Sequence, residues 1–259
     1  MSLAYAVSDA QVMVTRSTRR SLRDPEAFFT ALMLPIVLML LFVYVFGGAL
    51  NTGGKYVDYV VPGLIVLCAA FGAGTTAVAV ATDMSNGIVD RFRSMPIASS
   101  SILIGHIVAS LARNLIATTL VIGVGLGVGW RPAASPAGWI ASAGMIVLFI
   151  LALSWLAAAV GLLARSAEAA TSFAFVFMFI PYVSTAFVPA RTLPGPLRWI
   201  AEHQPFTPVV ETMRGLWTGH TSTGAATSHE AGIAIACCAA ILAIAVTSAS
   251  WLFRHRTSA

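Results

Sequence analysis

The stretch "YVVPGLIVLCAAFGAGTTAVAVAT", Tyr59–Thr82, runs for 24 residues without a charged side chain. About 20 apolar residues wound as a helix cross the roughly 30 Å of hydrocarbon in a bilayer. The stretch lacks the apolar–polar alternation of a lipid-facing barrel strand, so a helix is the form that satisfies its backbone there. Five more runs of the same kind flank it: Phe28–Phe46, Ile102–Val128, Trp139–Leu163, Ala169–Val188 and Ile233–Phe253. Of the 259 residues, 58% are apolar types and 10% are charged, where a soluble globular domain has about 25% charged. The expected fold is an all-α integral membrane protein of six transmembrane helices.

The basic residues set the orientation. With the N-terminus inside, the cytoplasmic segments hold nine arginines: Arg16, Arg19, Arg20, Arg23, Arg91, Arg93, Arg165, Arg254 and Arg256. The outer segments hold five basic residues: Lys55, Arg131, Arg191, Arg198 and Arg214. That bias predicts both termini in the cytoplasm, with the cluster before the first span carrying most weight. Residues 1–27 then form a cytoplasmic amphipathic helix at the inner membrane surface. Residues 28–253 form the membrane domain, 83–101 a cytoplasmic loop, 189–232 an outer segment and 254–259 a cytoplasmic tail. No cleavable signal peptide is expected, because four arginines precede the first apolar run and no small-residue cleavage site follows it. The net charge of +5 reflects cytoplasmic loops. No basic run interleaved with aromatics points to nucleic acid.

Between the second and third runs lies "NGIVDRFRSMPIASSS", Asn86–Ser101. Over 83–95, Met84, Ile88, Phe92 and Met95 recur at helical steps and share one face. Asp90 and Arg93 lie off that face, and Pro96 ends the helix. A short amphipathic helix of this kind suits either the lipid interface or an apolar groove in a partner protein.

The outer segment carries a second helical pattern. Thr207 followed by Pro208 reads as an N-cap with proline at the first helical position. Val209, Met213, Leu216 and Trp217 then recur at helical spacing, and Gly219 ends the element. Phe206, Val209, Met213, Leu216 and Trp217 form a candidate outer gate. The 205–219 helix either dips into the membrane from outside or rests as a cap on the headgroups. The first is tolerated only where the helix is buried in protein or lines a cavity.

No catalytic set stands out. The five histidines are scattered, with no nucleophile or carboxylate at motif spacing, and no GxxxxGK[ST] phosphate loop occurs. Cys68, Cys237 and Cys238 sit in apolar runs without metal-ligand spacing, as small core residues do. Arg113 and Asn114 fall about eleven residues into the third run, where a charge costs about 2.5–3.5 kcal/mol on insertion scales. They mark a polar site on a pathway or within the bundle, unless the helix begins low enough for Arg113 to reach the inner surface. "GVGLGVGW" places Gly123, Gly125, Gly127 and Gly129 at small-xxx-small spacing, which permits close helix approach. Tyr44, Phe71, Phe173, Phe175, Phe177, Phe179 and Tyr182 either pack or line a path for an apolar ligand.

Three stretches resemble one family, the type-2 ABC exporter permeases, and within it the bacterial daunorubicin/doxorubicin-resistance branch. "GIVDRFRSMPIASSSILIGHIVASLARN", Gly87–Asn114, is similar to that branch's loop between spans two and three. "AFVPARTLPGPLRWIAEHQPFTPVVETMRGLWTG", Ala186–Gly219, is similar to its outer segment, where a proline-rich turn precedes Asn-Pro and then Arg-Gly-Leu. "RDPEAFF", Arg23–Phe29, matches the entry to the first span. Departures are Met95 where leucine is usual, Ser99–Ser101 where a basic residue often follows, and Gln204 where asparagine usually precedes the proline.

The resemblance implies that the 83–101 loop is a coupling helix seated on a separate nucleotide-binding ATPase subunit. Met84, Gly87, Ile88, Asp90, Arg91, Phe92, Arg93, Met95 and Pro96 would form the contact. Ile88 and Phe92 would fill an apolar groove, and the charged residues would bond its rim. ATP and magnesium would sit in that partner, so this chain itself holds no cofactor and is no enzyme. The resemblance also implies a second permease copy, identical or related, in a bacterial plasma membrane. Hydrophobic or amphipathic drugs or lipids would move outward. The competing expectations are a polysaccharide or glycolipid export permease, and a membrane scaffold without transport.

Overall fold

The computed structural model of the chain describes residues 25–49, 54–86 and 99–256. It is all-helical, with no strand among the described residues. Helix α1 spans Pro25–Leu40 and continues as a π-helical turn, Leu41–Phe46. Next come α2 (Tyr56–Ser85), α3 (Ser99–Val128) and α4 (Pro136–Leu163). Helix α5 (Ala167–Phe179) tightens into a 3₁₀ turn, Ile180–Val183. After a short 3₁₀ turn at Ala190–Thr192 follow α6 (Gly195–His203), α7 (Phe206–Thr218) and α8 (Thr227–Arg256).

Among the described residues four helices, α2, α3, α4 and α8, are long and apolar enough to cross a membrane. The first and fifth apolar runs form shorter apolar helices, Met33–Phe46 and Ala167–Val183. The fifth run was expected to stay helical to Val188, and it does not. Pro181 has no N–H to give and forces the tighter turn. The Ser184 hydroxyl then donates to the Pro181 carbonyl at 2.5 Å and accepts from the Ala186 N–H at 3.0 Å, which turns the chain. At the other end α8 begins at Thr227, earlier than the apolar run from Ile233. Helix α4 starts where local chemistry dictates. Ser135 caps it by accepting the Gly138 N–H at 3.1 Å, with Pro136 in the first turn.

Helix α2 is the centre of the bundle and packs against α1, α3, α4, α5 and α7. In its most apolar stretch 78% is buried, against 17% in α8. A helix apolar on every side is a core helix. Helix α8 instead buries one stripe, Glu230, Ala234, Cys238, Ala245, Ala249 and Phe253, toward α4 and α7. Cys68 and Cys238 are buried and free, as their apolar surroundings predicted.

Small residues set the distance between α2 and α4. A Cβ added at Gly161 would lie 2.5 Å from the Ala77 carbonyl oxygen and 3.0 Å from the Val80 Cβ. Backbone cannot yield as a side chain can, so Gly161→Val should push the helices apart at a cost of about 1–3 kcal/mol. A lowered thermal midpoint in detergent is the expected reading, and an unchanged midpoint would contradict this packing. The glycine series of α3 does not play that part. Gly123 and Gly127 have nothing within 4 Å of an added Cβ, and Gly125 makes ordinary contact with Trp130 and Val61.

Candidate functional site

Helix α7 is the most deeply enclosed polar element of the fold. Phe206 to Gly215 and Trp217 are all buried, and Leu216 and Thr218 are half-buried. Its end was legible: Gly219 adopts φ +79°, the left-handed conformation that closes a helix. Its start was misread. Pro205 holds the cap position, and the Thr207 hydroxyl donates to the Ala201 carbonyl at 2.5 Å, tying α7 back to α6.

This burial forces the charges of α7 to pair. Glu211 is 0% exposed and Arg214 is 3% exposed, and the Arg214 Nη1 donates to the Glu211 Oε1. Nη1 also donates to the Ser222 hydroxyl at 3.2 Å, and the other donors go to backbone. Nη2 donates to the Tyr59 and Thr185 carbonyls, each at 2.9 Å, and Nε reaches the Tyr59 carbonyl at 3.3 Å. The guanidinium also lies 3.8 Å above the centre of the Tyr59 ring. Ser222 completes the carboxylate: its N–H donates to Oε2 and its hydroxyl to Oε1, both at 2.6 Å. The Tyr59 hydroxyl donates to the Thr185 carbonyl at 2.8 Å, and that of Tyr56 to the Phe187 carbonyl at 3.0 Å. One arginine thus fastens α7 to the start of α2, to the turn after α5 and to the loop before α8.

The candidate gate residues surround this knot. Phe206, Val209, Met213 and Trp217 are buried in the main core, and Leu216 packs against it. Phe206 meets Phe149 of α4 edge-on at 5.4 Å. Trp217 joins Trp130 and Trp139, at 5.0 Å and 5.7 Å between ring centres, linking α7 to the end of α3 and the start of α4. All five side chains pack in the interior.

A second polar cluster lies midway along the bundle. The Thr76 hydroxyl stands 2.7 Å from that of Ser110, which stands 2.9 Å from that of Ser154, joining α2, α3 and α4. Arg113 Nη2 donates to the Thr76 hydroxyl at 3.3 Å, which joins its guanidinium to this cluster. Asn114 is buried, and its amide donates to the Ser110 carbonyl at 2.9 Å. A Cβ added at Gly72 would sit 1.9 Å from the Asn114 Oδ1, so α2 yields space for that side chain. Arg113 and Asn114 therefore belong to one hydrogen-bonded site.

Near the far end of α2, the buried Asp83 pairs with His106 of α3 at 3.2 Å. Met84 sits in the last turn of α2, packed against the cluster that holds Ile102 and Leu103. Asp83, Met84 and Ser85 thus continue α2 itself. Gly87, Ile88, Asp90, Arg91, Phe92, Arg93, Met95 and Pro96 lie outside the described residues, as does the N-terminal segment 1–24. Among the described residues no group of three or more His, Cys, Asp or Glu could hold a metal ion.

The polar knot was missed because neither Glu211 nor Arg214 stands in a motif of its own. The one available signal was their i, i+3 spacing inside an otherwise apolar helix, where neither charge has a cheap exposed alternative.

Comparison with known proteins bears on all three regions. A family model described as ABC-2 type transporter matches residues 8–217. The chain is 24% identical to the daunorubicin resistance ABC transporter permease protein DrrB1 of Streptomyces coeruleorubidus, over 98% of this chain and 89% of the relative. It is 26% identical to the "Probable doxorubicin resistance ABC transporter permease protein DrrC" of Mycobacterium tuberculosis, over 82% of this chain and 78% of the relative. The family match takes in the buried α7, the central α2 and the polar cluster they enclose, and with the apolar helices around them it settles the class: this chain is a membrane permease that belongs to the ABC-2 type transporter family.

Proposed function

We propose that the chain is the membrane-spanning permease subunit of an ATP-driven exporter that moves amphipathic or hydrophobic compounds, drugs or lipids, outward. The observation that carries the reading is the family membership of a chain with no phosphate loop of its own. A permease of this class needs its phosphoryl chemistry from a separate ATPase subunit, which would bind the ATP and magnesium. The resistance named in both relatives supports a hydrophobic drug as cargo. A second permease copy, identical or related, would complete the assembly in the lipid bilayer.

Six crossings with both termini inside fit the helices. Helix α5 with its 3₁₀ turn has 13 and 4 residues. At the usual rises it is about 27 Å long. That falls slightly short of a hydrocarbon core of about 30 Å, within what local thinning accommodates. In this topology 205–219 lies on the outer side as a re-entrant helix. Its burial in protein supports that reading over a headgroup cap. The coupling contact would run from Met84 at the end of α2 through Gly87, Ile88, Asp90, Arg91, Phe92, Arg93, Met95 and Pro96. Closure of the ATPase would then move α2 and α3, and through them the Arg113–Asn114 site and the gate around Phe206, Val209, Met213, Leu216 and Trp217.

The test is transport. Inside-out vesicles carrying the chain and the ATPase of its native host should accumulate daunorubicin when ATP is supplied. Equal accumulation with and without ATP would remove the exporter reading.

A further inference from the structure

A cavity of about 420 Å³ opens beside the Glu211–Arg214 knot, lined among others by Lys55, Asp58, Tyr59, Arg191, Arg214 and Ser222. Three of these six are already committed. Arg214 is used by Glu211 and two carbonyls, while Tyr59 and Ser222 are bonded within the same knot. The other three are not. Lys55 and Arg191 are exposed, and neither side chain makes a hydrogen bond or ion pair among the described residues. Asp58 stands in the first turn of α2, where the helix dipole favours a negative charge. Yet its Oδ1 is buried without a hydrogen-bond partner, a condition that native proteins rarely leave unanswered.

Residues of both charges thus line one volume. A metal ion does not answer them, since a single carboxylate between two cations is a poor ligand set. A plain anion meets Lys55 and Arg191 but is repelled by Asp58. A molecule carrying a phosphate and an ammonium answers all three, with the phosphate on the planar fork of Arg191 and on Lys55, and the ammonium on the Asp58 carboxylate. The surroundings place the cavity where such groups are abundant. At the same end of the bundle α6 turns Leu197, Trp199 and Ile200 outward. Tryptophan concentrates at the level of lipid headgroups.

We infer that this cavity is a binding site for a phosphoethanolamine-type zwitterion, the headgroup of a membrane lipid or the same group in free form. The inference rests on this end of the bundle meeting the membrane surface. It does not depend on any ATPase, so loss of that partner would leave it standing.

The experiment uses the purified full chain in a nonionic detergent, without ATPase or nucleotide, and measures binding by calorimetry. The probes are glycerophosphoethanolamine, dihexanoyl-phosphatidylethanolamine, and dihexanoyl-phosphatidylglycerol, which carries the phosphate without the ammonium. An ethanolamine probe should bind at least about tenfold tighter than the glycerol lipid, the worth of one charge-assisted bond. Binding of the lipid probe alone would identify the bilayer as the source, and equal binding of both ethanolamine probes would admit the free group. Asp58→Asn should erase the preference, while Arg191→Gln should weaken both lipids by about tenfold. Equal affinity of the wild-type chain for the two lipids would overturn the assignment without any variant. So would no binding at all, or a preference that survives Asp58→Asn in a folded protein.

Discussion

Arg214→Ala is expected to destabilise the protein by about 3–5 kcal/mol, the cost of removing one partner from a buried ion pair. The loss has three sources. Glu211 would be left without its ionic partner at 0% exposure. The Tyr59 and Thr185 carbonyls would lose their donor, and the stack on the Tyr59 ring would vanish. Three chain segments meet at this one side chain, so the loss falls on how α7 is seated rather than on one helix. For a chain of this size the thermal midpoint should fall by about 6–20 °C. The double variant Glu211→Leu, Arg214→Met should lose less than the single one, because it leaves no unpaired charge inside. A single variant as stable as the parent would show that the pair is not buried as described.

Arg91→Glu with Arg93→Glu should abolish ATP-driven transport while leaving the chain inserted and folded. The expectation follows from the proposed coupling contact, in which the two cations bond the rim of a groove on the ATPase. Facing like charges across such a rim costs several kcal/mol, enough to weaken association by three orders of magnitude. Phe92→Ala should act separately by emptying the groove, at roughly 2 kcal/mol or more if the ring is the anchor. Full transport in the double arginine variant would return the loop between α2 and α3 to the lipid surface. The described residues next to it, Met84 and the Asp83–His106 pair, lie in or against α2, so displacement of the loop has a direct route into the core helix.

What could be read from the sequence followed from local rules, and what could not was set by distant partners. The apolar runs located the long helices, because an uncharged stretch such as Tyr59–Thr82 has one stable form in lipid. The spacing of Val209, Met213, Leu216 and Trp217, with Gly219 after them, located α7. Pro181 was a readable break, and the hydropathy of its neighbours masked it. The helix N-terminus at Thr207 failed because a hydroxyl that caps and a hydroxyl that ties back to α6 look alike in sequence. The Arg214 site was illegible for a stronger reason. Its acceptors are main-chain carbonyls of Tyr59 and Thr185, which any residue supplies, and Tyr59 lies 155 positions away. Within the chain the close helix approach is at Gly161, while Gly123 and Gly127 face no atom within 4 Å, since spacing shows which residues share a face but not what covers it.

The most direct test of the account is to purify the tagged chain in mild detergent from its native host and identify what accompanies it by mass spectrometry. The account predicts a soluble ATPase in stoichiometric amount, lost in the Arg91→Glu, Arg93→Glu variant and retained in Asp58→Asn. A stable, folded permease that brings no ATPase with it would contradict the exporter reading and the coupling role of the loop.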